Sequence, residues 1–142
     1  LCDRIVELGV RGMVSTWGLL AGLPYILLSV DIVDPREHDG DLNKTRESAK
    51  EENVDWQFMK ISSLDLKFNR CDLLFIDTIH SYEQLSQELK RHSPHTTKYI
   101  IVHDTILSEM QKAIDEFLIG NMDWKVKEVF TNNNGLQVLQ RI

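Results

Sequence analysis

The sequence predicts an α/β fold: an open, doubly wound, mostly parallel sheet with helices on both faces and an antiparallel hairpin at its C-terminal end. Three observations carry this. Short continuous apolar runs without polar alternation recur along the chain and read as strands buried on both faces. Segments with helical punctuation separate them, and crossovers between parallel strands need such helices. The last two alternating segments are joined by Asn132-Asn133-Asn134-Gly135, where Asn-Gly favours the positive φ angles of a hairpin turn.

Taken in order, Ile5-Val6-Glu7-Leu8 is the first strand and Thr16 to Gly22 the short helix behind it. Ile26 to Val30 is the second strand, followed by a mostly charged helix, Leu42 to Asn53, expected on the solvent face. A third strand precedes Ser62-Ser63, and Leu73 to Ile76 is the fourth. Ser81 with Gln84 is a capping box opening a helix whose apolar stripe is Tyr82, Leu85 and Leu89. Tyr99 to Val102 is the fifth strand. Ser108 with Gln111 repeats the box, Met110, Ala113, Ile114, Phe117 and Leu118 follow at helical spacing, and Gly120 supplies the stop. Trp124 to Phe130 and Gly135 to Arg141 close the chain as the hairpin.

The chain has 142 residues, 42% hydrophobic and 27% charged, the balance of one soluble globular domain. With 16 Lys+Arg against 22 Asp+Glu and a net charge of -6, it has no basic cluster to neutralise a phosphate backbone, so nucleic acid is not an expected partner. No apolar run is long enough for a membrane span and no leader is visible, so no membrane is expected and a reducing cytoplasm is the default location. Cys2 and Cys71 form no disulfide framework and read as buried thiols close enough to bridge under oxidising conditions. Opening at Leu1 and entering an apolar segment at once, the chain is expected to have lost an N-terminal piece.

Open α/β sheets bind ligands beyond the carboxyl ends of their strands, where the strand order reverses. After the first strand comes Glu7-Leu8-Gly9-Val10-Arg11-Gly12, a turn whose glycines let the backbone approach a ligand and whose helix N-terminus favours a negative group. An ordinary tight turn is an equally good reading of it. Asp31 follows the second strand, where a carboxylate can accept both hydroxyls of a ribose or simply hold a turn. Asp77-Thr78-Ile79-His80 follows the fourth strand and His103-Asp104 the fifth. On neighbouring strands about 4.8 Å apart these groups converge. Two carboxylates with imidazoles suit a divalent metal, and a free imidazole suits a general base near neutral pH. Helix caps and hydrogen-bonded strand-end histidines are the structural alternatives.

These strand-end motifs together, with Ser15-Thr16-Trp17 and Glu88-Leu89, resemble a class I S-adenosylmethionine-dependent methyltransferase, most closely the branch of macrocin-type sugar O-methyltransferases and cephalosporin-hydroxylase-like proteins. The likeness spans nearly the whole chain. It implies a Rossmann-like sheet of seven strands, the seventh antiparallel, with residues 1–142 forming a single cofactor-binding domain. It further implies that Glu7, Gly9 and Gly12 shape the pocket for the methionine part of the cofactor, that Asp31 holds its ribose, that Ser62 or Ser63 lies near adenine, and that Asp77 borders the cofactor. Asp77, His103 and Asp104 would bind the metal, with His80 as the base. Metal-dependent relatives carry Glu where this chain has His103, a nitrogen donor less natural for magnesium than for manganese, iron or zinc.

The expected reaction is methylation of a small hydroxylated acceptor such as a sugar, metal-assisted, with magnesium or manganese as the leading ions. Two alternatives stay open: a metal-dependent hydrolase on the same cluster, and a cofactor-binding module without catalysis. A homo-oligomer that closes the site with a second subunit is compatible with so small a chain. His38, His92 and His95 read as surface residues, Trp17, Trp56 and Trp124 as core or pocket rim, and the acidic turn from Asp34 to Asp41 as a border of the pocket.

Overall fold

The computed structural model describes residues 1–142. Seven strands alternate with four helices: β1 Arg4–Leu8, α1 Val14–Leu20, β2 Ile26–Asp31, α2 Leu42–Glu51, β3 Asp55–Lys60, β4 Cys71–Ile76, α3 Tyr82–His92, β5 Thr96–His103, α4 Ser108–Gly120, β6 Trp124–Phe130 and β7 Leu136–Arg141. Short 3-10 turns cover Pro35–His38 and Ser93–His95. The strands form one sheet in the order β3-β2-β1-β4-β5-β7-β6. β1 to β5 run parallel and β7 pairs antiparallel with both β5 and β6. The order reverses between β1 and β4, so that junction is where the sheet opens a crevice.

Two apolar layers sandwich the sheet. Leu85 and Leu89 of α3 and Met110, Ala113, Ile114 and Phe117 of α4 pack on Leu8, Leu74, Ile76, Ile100 and Val102. On the other face Met13, just before α1, Leu20 of α1 and Ala49 of α2 meet Ile5, Leu27, Leu73 and Phe75. β4 is buried along its whole length, as a continuous apolar run in a parallel sheet requires. β5 differs from that expectation. Ile100 and Val102 are buried while Tyr99 and Ile101 are only half-covered, because no helix lies over that face at this end of the sheet.

The capping signals hold in part. Ser81 Oγ accepts from the Gln84 backbone N–H at 3.3 Å, as the box predicts. Ser108 is the first residue of α4, and the cap position falls on Leu107 with no side-chain bond. Gln111, which would complete that box, instead donates to Asp115 and accepts from Gln137. Gly120 is still helical, and α4 ends at Asn121. α1 and α2 each begin or end a residue or two from the expected limits. Both cysteines are free, Cys71 buried and Cys2 half-buried. Burial pushes the Cys71 thiol up to about 12.

Candidate functional site

The crevice at the β1/β4 junction has a volume of about 270 Å3 and is lined by Gly9, Asp31, Ser62, Ser63 and Asp77 together with Arg11, His38, Thr78 and Gln84. Its seam is a single glycine. Gly9 sits at φ +87, and a Cβ there would lie 1.9 Å from the Asp77 carbonyl oxygen. Only glycine fits both the backbone angle and the contact, so the ends of β1 and β4 meet directly. The Asp77 N–H donates to the Leu8 carbonyl at 2.8 Å and continues the pairing past the strands.

Two carboxylates hold the β1 side together. Asp31 Oδ2 accepts from the Val10 and Arg11 N–H groups at 2.8 and 3.0 Å, and Oδ1 from the Val33 N–H at 3.0 Å. Arg11 and Met13 adopt left-handed φ angles of 47 and 71, the geometry by which successive amides of a loop turn toward an anion. The anion-favouring glycine turn and the strand-end carboxylate, separate features in the sequence, thus satisfy one another. Burial raises the Asp31 carboxyl's proton affinity, but the amides of Arg11, Val10 and Val33 outweigh it and hold the group below its ordinary value.

Glu7 lies beneath the crevice, fully enclosed. Ser15 donates to its Oε1 at 2.6 Å, and Thr16 and Ser29 donate to Oε2 at 2.8 and 2.6 Å. Burial pushes its carboxyl up, against the pull of those hydroxyls. Neither Glu7 nor Gly12 lines the crevice. Gly12 lets the His38 carbonyl come within 3.0 Å of where a Cβ would stand, so it seats the Asp34–Asp41 turn against the start of α1. That turn borders the crevice through His38, as expected for an acidic border loop.

Ser62 and Ser63 face the crevice from the segment after β3. Ser63 also belongs to a network that sequence reasoning missed. Its hydroxyl donates to Glu88 Oε1 at 2.5 Å, Thr78 Oγ1 donates to the same carboxylate at 2.8 Å, and Gln84 Nε2 donates to Glu88 at 2.9 Å. Glu88 is completely buried, and burial lifts its carboxyl above the ordinary range. The network ties the loops after β3 and β4 to α3. The sequence signal for it was a charged residue placed beside the apolar stripe of a helix.

On the β4/β5 side the four predicted groups come together. His80 Nε2 lies 2.6 Å from Asp104 Oδ2 and 3.5 Å from Asp77 Oδ1. His103 Nδ1 lies 3.1 Å from Asp104 Oδ2 and 3.5 Å from Asp77 Oδ1. β4 and β5 are paired neighbours, which satisfies the condition for convergence. Asp104 is buried and takes a left-handed φ of 57, a conformation that tends to mark functional positions when a non-glycine residue holds it. The hairpin between β6 and β7 braces its loop: Ile106 N–H donates to the Asn134 carbonyl at 3.1 Å and Thr105 N–H to the Gly135 carbonyl at 3.4 Å. Asp77, His80 and Asp104 place one donor atom each within 4.8 Å of one another, close enough to share a cation. His80, expected as the base, stands in this donor cluster where His103 was expected, and His103 touches the same two carboxylates from outside it.

One expected surface residue is misplaced. His92 is buried, whereas His38 and His95 are exposed. Trp56 and Trp124 are core residues and Trp17 is half-buried. No helix is long and apolar enough to cross a membrane.

No family model and no curated protein matches the chain. Solved structures do. A methyltransferase from Geobacter sulfurreducens is 14% identical over 99% of this chain and 71% of its own, with a TM-score of 0.69. Magnesium protoporphyrin IX methyltransferase from Synechocystis, with bound S-adenosylmethionine, is 13% identical over 98% of this chain and 70% of its own, TM-score 0.70. The fold is that of the S-adenosylmethionine-dependent methyltransferases. The 1,6-didemethyltoxoflavin-N1-methyltransferase of Burkholderia thailandensis, with S-adenosylhomocysteine, is similar at 10% identity over 96% of this chain and 70% of its own, TM-score 0.67. The two of these methyltransferases that are named for an acceptor differ in it, so the likeness reaches the methyltransferase fold and does not single out the sugar O-methyltransferase branch.

Proposed function

We propose that the protein is an S-adenosylmethionine-dependent methyltransferase acting on a hydroxyl of a small acceptor such as a sugar. The observation that carries this is the joining of two different chemistries at Asp77: it lines the crevice at the strand-order reversal and belongs to the acid-imidazole cluster. In this reading the donor occupies the crevice, with Asp31 near the ribose and Ser62 and Ser63 near adenine, while Glu7 and Gly12 act from behind by fixing the loops. When bound, S-adenosylmethionine supplies a methyl group activated by a sulfonium leaving group. The residues of this chain then need to orient the acceptor and take its proton.

His80 is suited to the proton. Its Nε2 faces the buried Asp104 carboxylate at 2.6 Å, which fixes Nε2 as the protonated nitrogen and leaves Nδ1 as the acceptor. His80 Nδ1 takes the hydroxyl proton, Asp104 stabilises the resulting imidazolium, and Asp77 lies beside both. Calorimetry with S-adenosylmethionine and S-adenosylhomocysteine tests the reading, and heat from neither would overturn it.

A second form of the same reading is favoured by the donor cluster itself. Two carboxylates and two imidazoles converge, a mixed oxygen-nitrogen set that fits manganese, iron or zinc better than magnesium. A bound cation would polarise neighbouring acceptor oxygens, held by Asp77 and Asp104 with His103 or His80. Turnover abolished by EDTA and restored by manganese supports this form, and turnover indifferent to EDTA leaves His80 with Asp104 as the base pair.

A further inference from the structure

A second cavity lies away from the crevice, toward the amino-terminal ends of the parallel strands. The segment Leu66–Asn69, the end of α3 and the turn after it enclose about 500 Å3, within the range of small-ligand sites. Its wall carries Lys67, Arg91, His92 and His95 and no carboxylate. In a chain of net charge -6 that is a local reversal of sign. Lys67 and Arg91 are exposed, and none of the molecule's ion pairs uses them.

His92 forms the floor. It is 1% exposed, its Nε2–H donates to the Ser63 carbonyl at 2.7 Å, and Phe68 stacks on it with ring centroids 5.3 Å apart. A carbonyl can only accept, so Nε2 carries the proton and Nδ1 of the neutral ring is an acceptor. Burial lowers the ring's proton affinity below the ordinary imidazole value, with Arg91 and His95 adding to that effect against the Ser63 bond. Nδ1 has no protein partner, and the only side-chain polar atom that is both sealed from solvent and unpartnered is Gln137 Oε1. His92 Nδ1 therefore opens onto the cavity it lines.

Two unpaired cations at the mouth and an unfilled acceptor on the floor call for a ligand with an anion at one end and a hydroxyl at the other. The carboxyl end of α3 opposes an anion with roughly half a negative charge, but Arg91 in its last turn and Lys67 on the same cavity wall set two full positive charges against it. We propose that this cavity binds a small phosphorylated, hydroxyl-bearing molecule of the sugar-phosphate class, its phosphate at Lys67 and Arg91 and a hydroxyl donating to His92 Nδ1. The site is separate from the crevice and stands whether or not the methyltransferase reading does.

Titrating ribose 5-phosphate into 15N-histidine-labelled protein, with NMR detection of the ring nitrogens, tests it. The expected result is a saturable shift of His92 Nδ1 with His38, on the crevice, unmoved. Because charge-assisted contacts and the hydroxyl bond act together, inorganic phosphate and ribose should each bind at least about tenfold more weakly. Lys67→Gln with Arg91→Gln, both exposed, should weaken binding by a similar factor with circular dichroism unchanged. No saturable shift of His92, an equal shift in the double variant, the same response to sodium chloride at matched ionic strength, or equal affinity for inorganic phosphate would each overturn the proposal.

Discussion

The β1/β2 and β4/β5 sides of the candidate site use the same side-chain types in opposite ways. On the β1/β2 side every carboxylate oxygen of Glu7 and Asp31 receives a donor from the protein itself, hydroxyls for one and backbone amides for the other. On the β4/β5 side Asp77 and Asp104 meet two imidazoles and no backbone amide, and His80 and Asp77 remain 43% and 32% exposed. The first half spends its charge on holding a shape. The second leaves its charge and lone pairs partly exposed, available in the proposed reading to an acceptor or an ion. Substitutions on the two sides should therefore separate stability from turnover.

The largest effect expected is on turnover. His80→Ala should lower the rate of methyl transfer by about 10²–10⁴-fold, while S-adenosylhomocysteine affinity by calorimetry and the urea midpoint stay near those of the parent. Gly9→Ala should do the reverse and damage the scaffold first. A methyl group placed 1.9 Å from the Asp77 carbonyl forces the halves apart, and a loss on the order of 3–5 kcal/mol is expected in urea denaturation. Glu7→Ala comes next. It leaves the hydroxyls of Ser15, Thr16 and Ser29 without their acceptor, for about 2–3 kcal/mol, although the residue never lines the crevice. A wild-type urea midpoint in Glu7→Ala would show that this half is no more structural than the other.

The smallest effect is in the pH dependence of stability. The Glu7 carboxyl is raised from an ordinary 4.5, so the folded state binds its proton more tightly than the unfolded chain. That contribution is complete below the ordinary value and is lost as pH rises through the folded one. Asp31 is lowered from 3.8, so its contribution is present above that value and is lost as pH falls through the folded one. Urea midpoints against pH should thus lose part of their alkaline decline in Glu7→Gln and part of their acid decline in Asp31→Asn. An unchanged acid limb in Asp31→Asn would mean that the loop amides do not set its ionisation.

How much of this was readable in the chain depends on where the determining contact lies. Gly9, Asp31, Asp77, His80, His103 and Asp104 were legible because each lies at, or within four residues after, the end of an apolar run, and parallel pairing delivers all strand ends to one rim. What was not legible depends on partners far along the chain. Glu88 is held by Ser63 and Thr78, and His92 by Ser63 and Phe68, through a loop whose approach to α3 has no periodic signature. His92 did leave a trace, since it extends the spacing of Leu85 and Leu89 onto the buried face of the helix. The mistaken second capping box has a similar cause. Gln111 found Gln137 of β7 and Asp115 in place of its own helix end, a tertiary contact overriding a local rule.

The bend of the closing ribbon, fastened to the backbone just past Asp104, makes the chain's last strands a buttress for the acid that steadies His80. If His80 is the base proposed above, variation at that distant bend retunes proton transfer without altering any group that meets the acceptor.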